Sequence, residues 1–160
     1  MTIKNVLKKN DFDTFIELAR KGKVSKEYQV LFYKKAPELY QQTLINFCPP
    51  SQEAEKVIIE KGTQETINLV IVLYGLYSST LEWMMRECDA NVVTKVLECL
   101  HDKPATPKIE HLMVERGDQE IFKLWLSKFY TLEDSTERIL NERLDLSSML
   151  SYYIEMSVCS

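Results

Sequence analysis

A chain of 160 residues with 45% hydrophobic and 28% charged residues has the length and balance of one ordinary soluble domain, large enough to bury about 68–70% of the surface its unfolded chain exposes. Its 20 basic and 24 acidic residues leave a formal net charge of −4, which works against non-specific attraction to nucleic-acid phosphates or anionic lipid. The start, "MTIKNVLKKNDF", has no apolar signal core, and Cys48, Cys88, Cys99 and Cys159 stand apart with no C-x-x-C pair, so a cytoplasmic protein with buried thiols is expected.

Taken along the chain, six positions act as a ruler. Asn10, Ala36, Gly62, Cys88, Gly117 and Leu144 are spaced by 26, 26, 26, 29 and 27 residues. They are followed by Asp11, Pro37, Thr63, Asp89, Asp118 and Asp145. Five of these six are good helix N-caps, whose side-chain oxygen accepts a bond from a free N–H of the first turn; Pro37 suits the first helical position instead. The ruler positions mark the end of the preceding helix, where Asn10, Gly62 and Gly117 would tolerate a left-handed turn.

The first unit, residues 1–24, has a short helix A with Val6 and Leu7 inward among Lys4, Lys8 and Lys9, then a helix B with Phe15, Leu18 and Ala19 on one face. It reads as an N-terminal cap. Unit two (25–50) starts at Ser25, turns in Leu31, Phe32 and Tyr33, and after its turn Leu44 and Ile45. Unit three (51–76) starts at Ser51 and repeats this with Val57, Ile58 and Ile59, then Ile67, Val70 and Ile71. In unit four (77–103) Ser79 and Glu82 form a capping-box pattern ahead of Trp83, Met84 and Met85, with Val93, Val96 and Leu97 after the turn. Unit five (104–132) opens on Thr106-Pro107 and carries Leu112, Met113 and Val114, then Phe122, Trp125 and Leu126. Unit six (133–160) has Ile139 and Leu140, then Met149, Tyr152 and Tyr153. The spacing is that of amphipathic helices, and no alternating run argues for a strand. The apolar stretch from Ile67 to Met85 is broken by Gly75, Ser78, Ser79 and Thr80 and falls short of a membrane span of about 20 apolar residues.

Two helices of about ten residues cannot stand alone in water, so neighbouring units must stack. The prediction is an all-α fold, an α-solenoid of about six antiparallel helix hairpins with a period of about 26 residues, forming a single domain over residues 1–160. The stretch "EAEKVIIEKGTQETINLVI", residues 53–71, resembles the HEAT, armadillo and ankyrin-like helical-repeat superclass and short bacterial repeats of unassigned function. The resemblance covers nearly the whole chain. It implies architecture and carries no catalytic motif.

Function is therefore sought on surfaces. The turn in "ERGDQEIFKLWL" offers free N–H groups at a helix start, but Asp118 and Thr63 occupy the caps and Glu120 and Glu65 add negative charge there, against a phosphate. No phosphate-loop or G-x-S-x-G pattern is present, and neither catalytic residues nor a cofactor are expected. The lengthened loop at 99–111 gathers Cys99, His101, Asp102, Glu110 and His111 without paired ligand spacing, so no metal is expected; a metal-dependent enzyme using this loop ranks third. Six and ten residues past the ruler lie Gln42, Asn46, Asn68, Thr94, Glu98, Lys123 and Ser127, the expected contacts for a protein or peptide along helix B. The alternative, a nucleic-acid-binding helical repeat, needs a row of cations, and that ladder supplies only Arg20 and Lys123. The last helix is apolar all round: either it folds back over the stack, or it meets a partner, in a weak homodimer through Leu150, Tyr153 and Ile154.

Overall fold

The computed structural model describes residues 2–22 and 24–159; the thiol of Cys159 lies outside the described side chains. The elements are α1 (Ile3–Lys8), α2 (Phe12–Lys21), α3 (Lys26–Lys35), α4 (Glu38–Phe47), α5 (Gln52–Lys61), α6 (Gln64–Leu73), α7 (Ser78–Glu87), α8 (Ala90–Cys99), α9 (Pro107–Arg116), α10 (Gln119–Phe129), α11 (Asp134–Glu142), a 3₁₀ turn (Leu144–Leu146) and α12 (Ser147–Cys159). The protein is all-helical, with no strand among the described residues. The helices group into two compact units, Met1–Thr80 and Leu81–Ser160.

In the first unit, α1, α3 and α5 pack in succession, as do α2, α4 and α6. The two rows meet over Val6, Phe15, Phe32, Ile45, Ile59 and Val70, all fully buried. Phe15 stacks on Phe32 with ring centroids 4.6 Å apart. Helix starts follow the expected caps: Asp11, Ser25, Ser51 and Thr63 accept the N–H of Thr14, Tyr28, Ala54 and Thr66 at 3.2, 3.4, 3.2 and 3.2 Å. Pro37 departs from expectation. It is the N-cap of α4, extended at φ −60°, ψ 156°, and Glu38 is the first helical residue. Gly62 also departs, at φ −78°, ψ 163°, in extended rather than left-handed backbone. A Cβ there would meet the Ile58 carbonyl oxygen at 2.4 Å, so close approach explains the glycine. Asn10 does turn left-handed, at φ 55°. Leu31, expected inside, is 43% exposed.

In the second unit, α9 packs on α11, and α10 lies between α8 and α12. Met84, Met85, Val93, Val96, Met113, Ile121 and Leu126 are fully buried. Trp125 meets Phe129 edge-on at 4.8 Å. Asp118 caps α10 by accepting the N–H groups of Glu120 and Ile121 at 3.0 and 3.2 Å, and Gly117 turns left-handed at φ 73°. Asp89 occupies the cap of α8 without a side-chain bond. Two expected starts are corrected. Helix α7 begins at Ser78, placing Ser79 inside it, so no box forms with Glu82. Asp145 sits within the 3₁₀ turn and pairs with Arg143 at 2.6 Å, an engagement that takes its carboxylate away from capping α12.

The two kinds of glycine separate in a stability measurement. Gly117→Ala places a Cβ in left-handed backbone and lowers the free energy of unfolding by about 1 kcal/mol. Gly22, extended at φ −166° with nothing within 4 Å of a built Cβ, behaves oppositely, Gly22→Ala raising stability by about 0.5 kcal/mol through the unfolded chain. Equal urea midpoints for the two variants would contradict these backbone assignments.

Candidate functional site

The helix B face is best formed in the first unit. Gln42 and Asn46 lie one turn apart on α4, and Asn68 and Val72 one turn apart on α6. Gln42, Glu65, Asn68, Leu69 and Val72 line a shallow groove of about 260 Å³. Asn46 and Asn68 are exposed and Gln42 is half-buried. Val72 and Leu39 are 62% and 74% exposed. The groove thus offers amides beside bare aliphatic surface. Its floor is held by side chains that cross from α4 to α6. Glu38 accepts from Gln42 Nε2 at 3.0 Å and from Thr63 Oγ1 at 2.6 Å, and Gln42 Nε2 also reaches Thr66 Oγ1 at 3.4 Å. The amide nitrogen of Gln42 is therefore already engaged by Glu38 and Thr66.

In the second unit the expected residues are more occupied. Lys123 pairs with Glu120 at 3.9 Å and sits 5.3 Å from the centre of the Tyr152 ring. Ser127 donates to the Leu124 carbonyl at 2.7 Å. Thr94 is half-buried; Glu98 is exposed, and its backbone carbonyl accepts from Lys128 at 3.0 Å. Helix α12 packs against α10 and α11, which takes up much of its apolar surface. Leu150 and Tyr153 are half-buried and the Tyr153 hydroxyl is bound by Glu137. Ile154 is 53% exposed.

Chemistry beyond packing is concentrated at one repeated position, on α3 and α5 in the first unit and on α9 in the second. Seven residues before Ala36, Gly62 and Gly117 stand Gln29, Glu55 and Glu110, all buried. Each accepts the N–H at the next hairpin's entry: Gln29 from Ser51 at 2.8 Å, Glu55 from Tyr77 at 3.0 Å, Glu110 from Glu133 at 2.7 Å. Helix ends leave backbone donors without intrahelical partners, and these acceptors satisfy one each. Glu110 is further met by the Lys103 ammonium at 2.9 Å, in the geometry of an ion pair rather than an aligned hydrogen bond. Glu55 has no such cation. Burial pushes its carboxyl up to about 7, opposed only in part by the Thr80 hydroxyl and the Tyr77 N–H. It opens on a cavity of about 160 Å³ lined by Pro49, Pro50, Tyr74, Gly75, Leu76 and Tyr77.

No protein-family model, curated protein or solved structure matches the chain.

The histidine loop is organised by Lys103, which besides Glu110 reaches Glu133 at 3.5 Å and the Thr131 carbonyl at 2.9 Å. His111 Nε2 is 2.8 Å from Ser135 Oγ, and His101 is exposed. Among the described residues no three His, Cys, Asp or Glu side chains converge as metal ligands would, and no helix is long and apolar enough to cross a membrane. Cys88 and Cys99 are buried as expected; Cys48 is half-buried, and burial raises its thiol.

The buried acceptors escaped sequence inspection because Glu and Gln on a helix are taken as solvated. A signal existed. Glu55 stands three and four residues before Ile58 and Ile59, and Glu110 before Met113 and Val114, so both share the apolar face.

A carboxyl whose folded value exceeds its ordinary 4.5 binds more protons in the native state, so its contribution to stability is full below about 4.5 and is lost as pH rises through about 7. Gln29 shows that an amide serves the same N–H. Glu55→Gln should therefore keep the fold, and the wild-type minus variant difference in urea midpoint should fall between pH 4.5 and 8. A difference that stays flat, or that grows with pH, would rule out a raised Glu55 carboxyl.

Proposed function

We propose that the chain is a non-enzymatic helical-repeat scaffold, an α-solenoid of about six hairpins, that binds another protein along its helix B surface. What supports the repeat reading is that α1, α3 and α5, and α2, α4 and α6, pack in succession in the first unit, and α9 on α11 and α8, α10 and α12 in succession in the second, together with the period of the sequence and its resemblance to HEAT and armadillo-like repeats. The observation that carries the functional reading is the α4–α6 groove, where Gln42, Asn68 and Glu65 stand beside Leu69 and Val72. Asn side chains can pair with the free N–H and C=O groups of an extended peptide, while exposed aliphatic side chains bury the peptide's own. The chemistry suits a neutral, partly apolar segment of another protein. Lys123, Ser127, Thr94 and Glu98 extend the expected contact series in the second unit, and the groove residues of α4 and α6 are its stronger part.

The test uses the full chain carrying a photo-crosslinking side chain at Val72, or at Leu31 on the opposite row of helices as a control. The expected result is one defined partner captured from Val72 and not from Leu31. Its affinity, measured with purified components, should then drop about tenfold or more in Asn68→Arg with Val72→Glu, while the melting temperature stays close to wild type, as exposed substitutions allow. Equal capture from both positions, or unchanged affinity of the double variant, overturns the groove. Turnover of any substrate that a single substitution abolishes overturns the non-enzymatic reading.

A further inference from the structure

Glu55 and Glu110 hold the same place in their hairpins and give one oxygen each to the next hairpin, yet their second oxygens have different surroundings. At Glu110 the space is filled by an ammonium from the chain itself, Lys103 Nζ, at 2.9 Å. The same ammonium donates to the carbonyl of Thr131, two residues before the clasped N–H. At Glu55, among the described residues, no basic side chain supplies a compensating charge. Glu55 has the Thr80 hydroxyl beside it and lines a cavity of about 160 Å³, and Gly75, two residues before the clasped Tyr77, lines that cavity as Thr131 flanks Lys103. We propose that this cavity is a binding site for a primary ammonium group on an alkyl stem, with Glu55 as its counter-ion.

The donor set selects that chemistry. Glu55 is 2% exposed, so its charge is poorly hydrated and a paired cation relieves a cost that water does not. A divalent metal would want several oxygen ligands, and no three metal-binding side chains gather among the described residues. A guanidinium prefers two oxygens of one carboxylate, whereas one Glu55 oxygen is taken by the Tyr77 N–H. A compact ammonium needs one. Pro49, Pro50 and Leu76 provide apolar wall for methylenes next to the charge, and Tyr74 and Tyr77 stand at 41% and 50% exposure, with ring area for a cation. A cavity of this size accommodates the ammonium and several carbons of its stem.

The site is independent of the helix B groove and is tested without any protein partner. The full chain, isotope-labelled, is titrated with n-butylamine at pH 8, with n-butanol as the neutral match and with Nα-acetyl-lysine methylamide as the peptide form. The amine should shift the Tyr77 amide resonance saturably and leave that of Glu133 in place. Butanol should shift neither resonance, and Glu55→Gln should weaken the effect about tenfold or more, the loss expected for one charge-assisted hydrogen bond. On the wild-type chain, saturating amine should lower the Glu55 carboxyl midpoint by roughly one pH unit, a readout that stands even if the variant folds poorly. Binding of butylamine alone assigns the site to free amines, and binding of both compounds assigns it to amines including a lysine side chain. No shift at Tyr77, an equal response to butanol, or an unmoved Glu55 midpoint overturns the proposal.

Discussion

The structure depends on how ten-residue helices dispose of their ends. In a helix this short about eight of roughly twenty backbone groups have no intrahelical partner, and burying such groups unpaired costs about as much as a lost hydrogen bond each. Local caps such as Ser51 and Thr63 deal with some donors. Several others are met by the adjacent hairpin. Gln29, Glu55 and Glu110 reach forward to N–H groups. Lys35 and Arg116, one residue before the turn, reach back to carbonyls, Lys35 to Leu7 at 3.1 Å and Arg116 to Met85 and Cys88 at 3.1 and 2.6 Å. Tyr74 does the same for Ile45 at 2.6 Å in the second row of helices. Within each unit, neighbouring hairpins therefore complete one another, and the apolar packing and the polar ends enforce the same register.

That division of labour explains what could be read from residues alone. Apolar periodicity placed the helices closely, because the second and third residues of each apolar triplet, Phe32-Tyr33, Ile58-Ile59, Met84-Met85 and Met113-Val114, are the ones that are buried. Caps acting within one helix were legible too, since Asp11, Thr63 and Asp118 need only their own first turn. Pro37 was misplaced by one residue and Ser79 by two, the scale at which a boundary depends on the neighbouring hairpin rather than on local propensity. Gly62 was misread for a related reason: its lack of a Cβ serves proximity to the Ile58 carbonyl, and sequence does not distinguish that need from a left-handed turn.

The expected contact series shows the same limit. Position on helix B does identify outward-facing side chains, as Asn46 and Asn68 demonstrate. It does not tell which of them the fold has already employed. Gln42 is drawn into the Glu38 and Thr66 network, and Lys123 into Glu120 and the Tyr152 ring. A polar residue at a repeated surface position is available to a partner only after its neighbours on the next hairpin have been satisfied, and those neighbours lie 24 or more residues away in sequence for Gln42 and Thr66.

Comparison of equivalent hairpins is then a sharper guide to function than any single residue. Where a repeated position has one structural task, the residue that performs it at least electrostatic cost is sufficient, and Gln29 performs the clasp as a neutral amide with its own nitrogen turned to the Val24 carbonyl at 3.4 Å. Glu110 performs it as a charge, but Lys103 neutralises that charge within the chain. Glu55 performs it as a carboxyl with neither remedy, beside open volume. The clasp alone does not call for a carboxylate there, because an amide of the same shape makes the bond to Tyr77 without the desolvation penalty of a charge. The difference between Glu55 and its two counterparts is thus a local cost that packing does not explain, and costs of that kind gather where a fold meets its ligand.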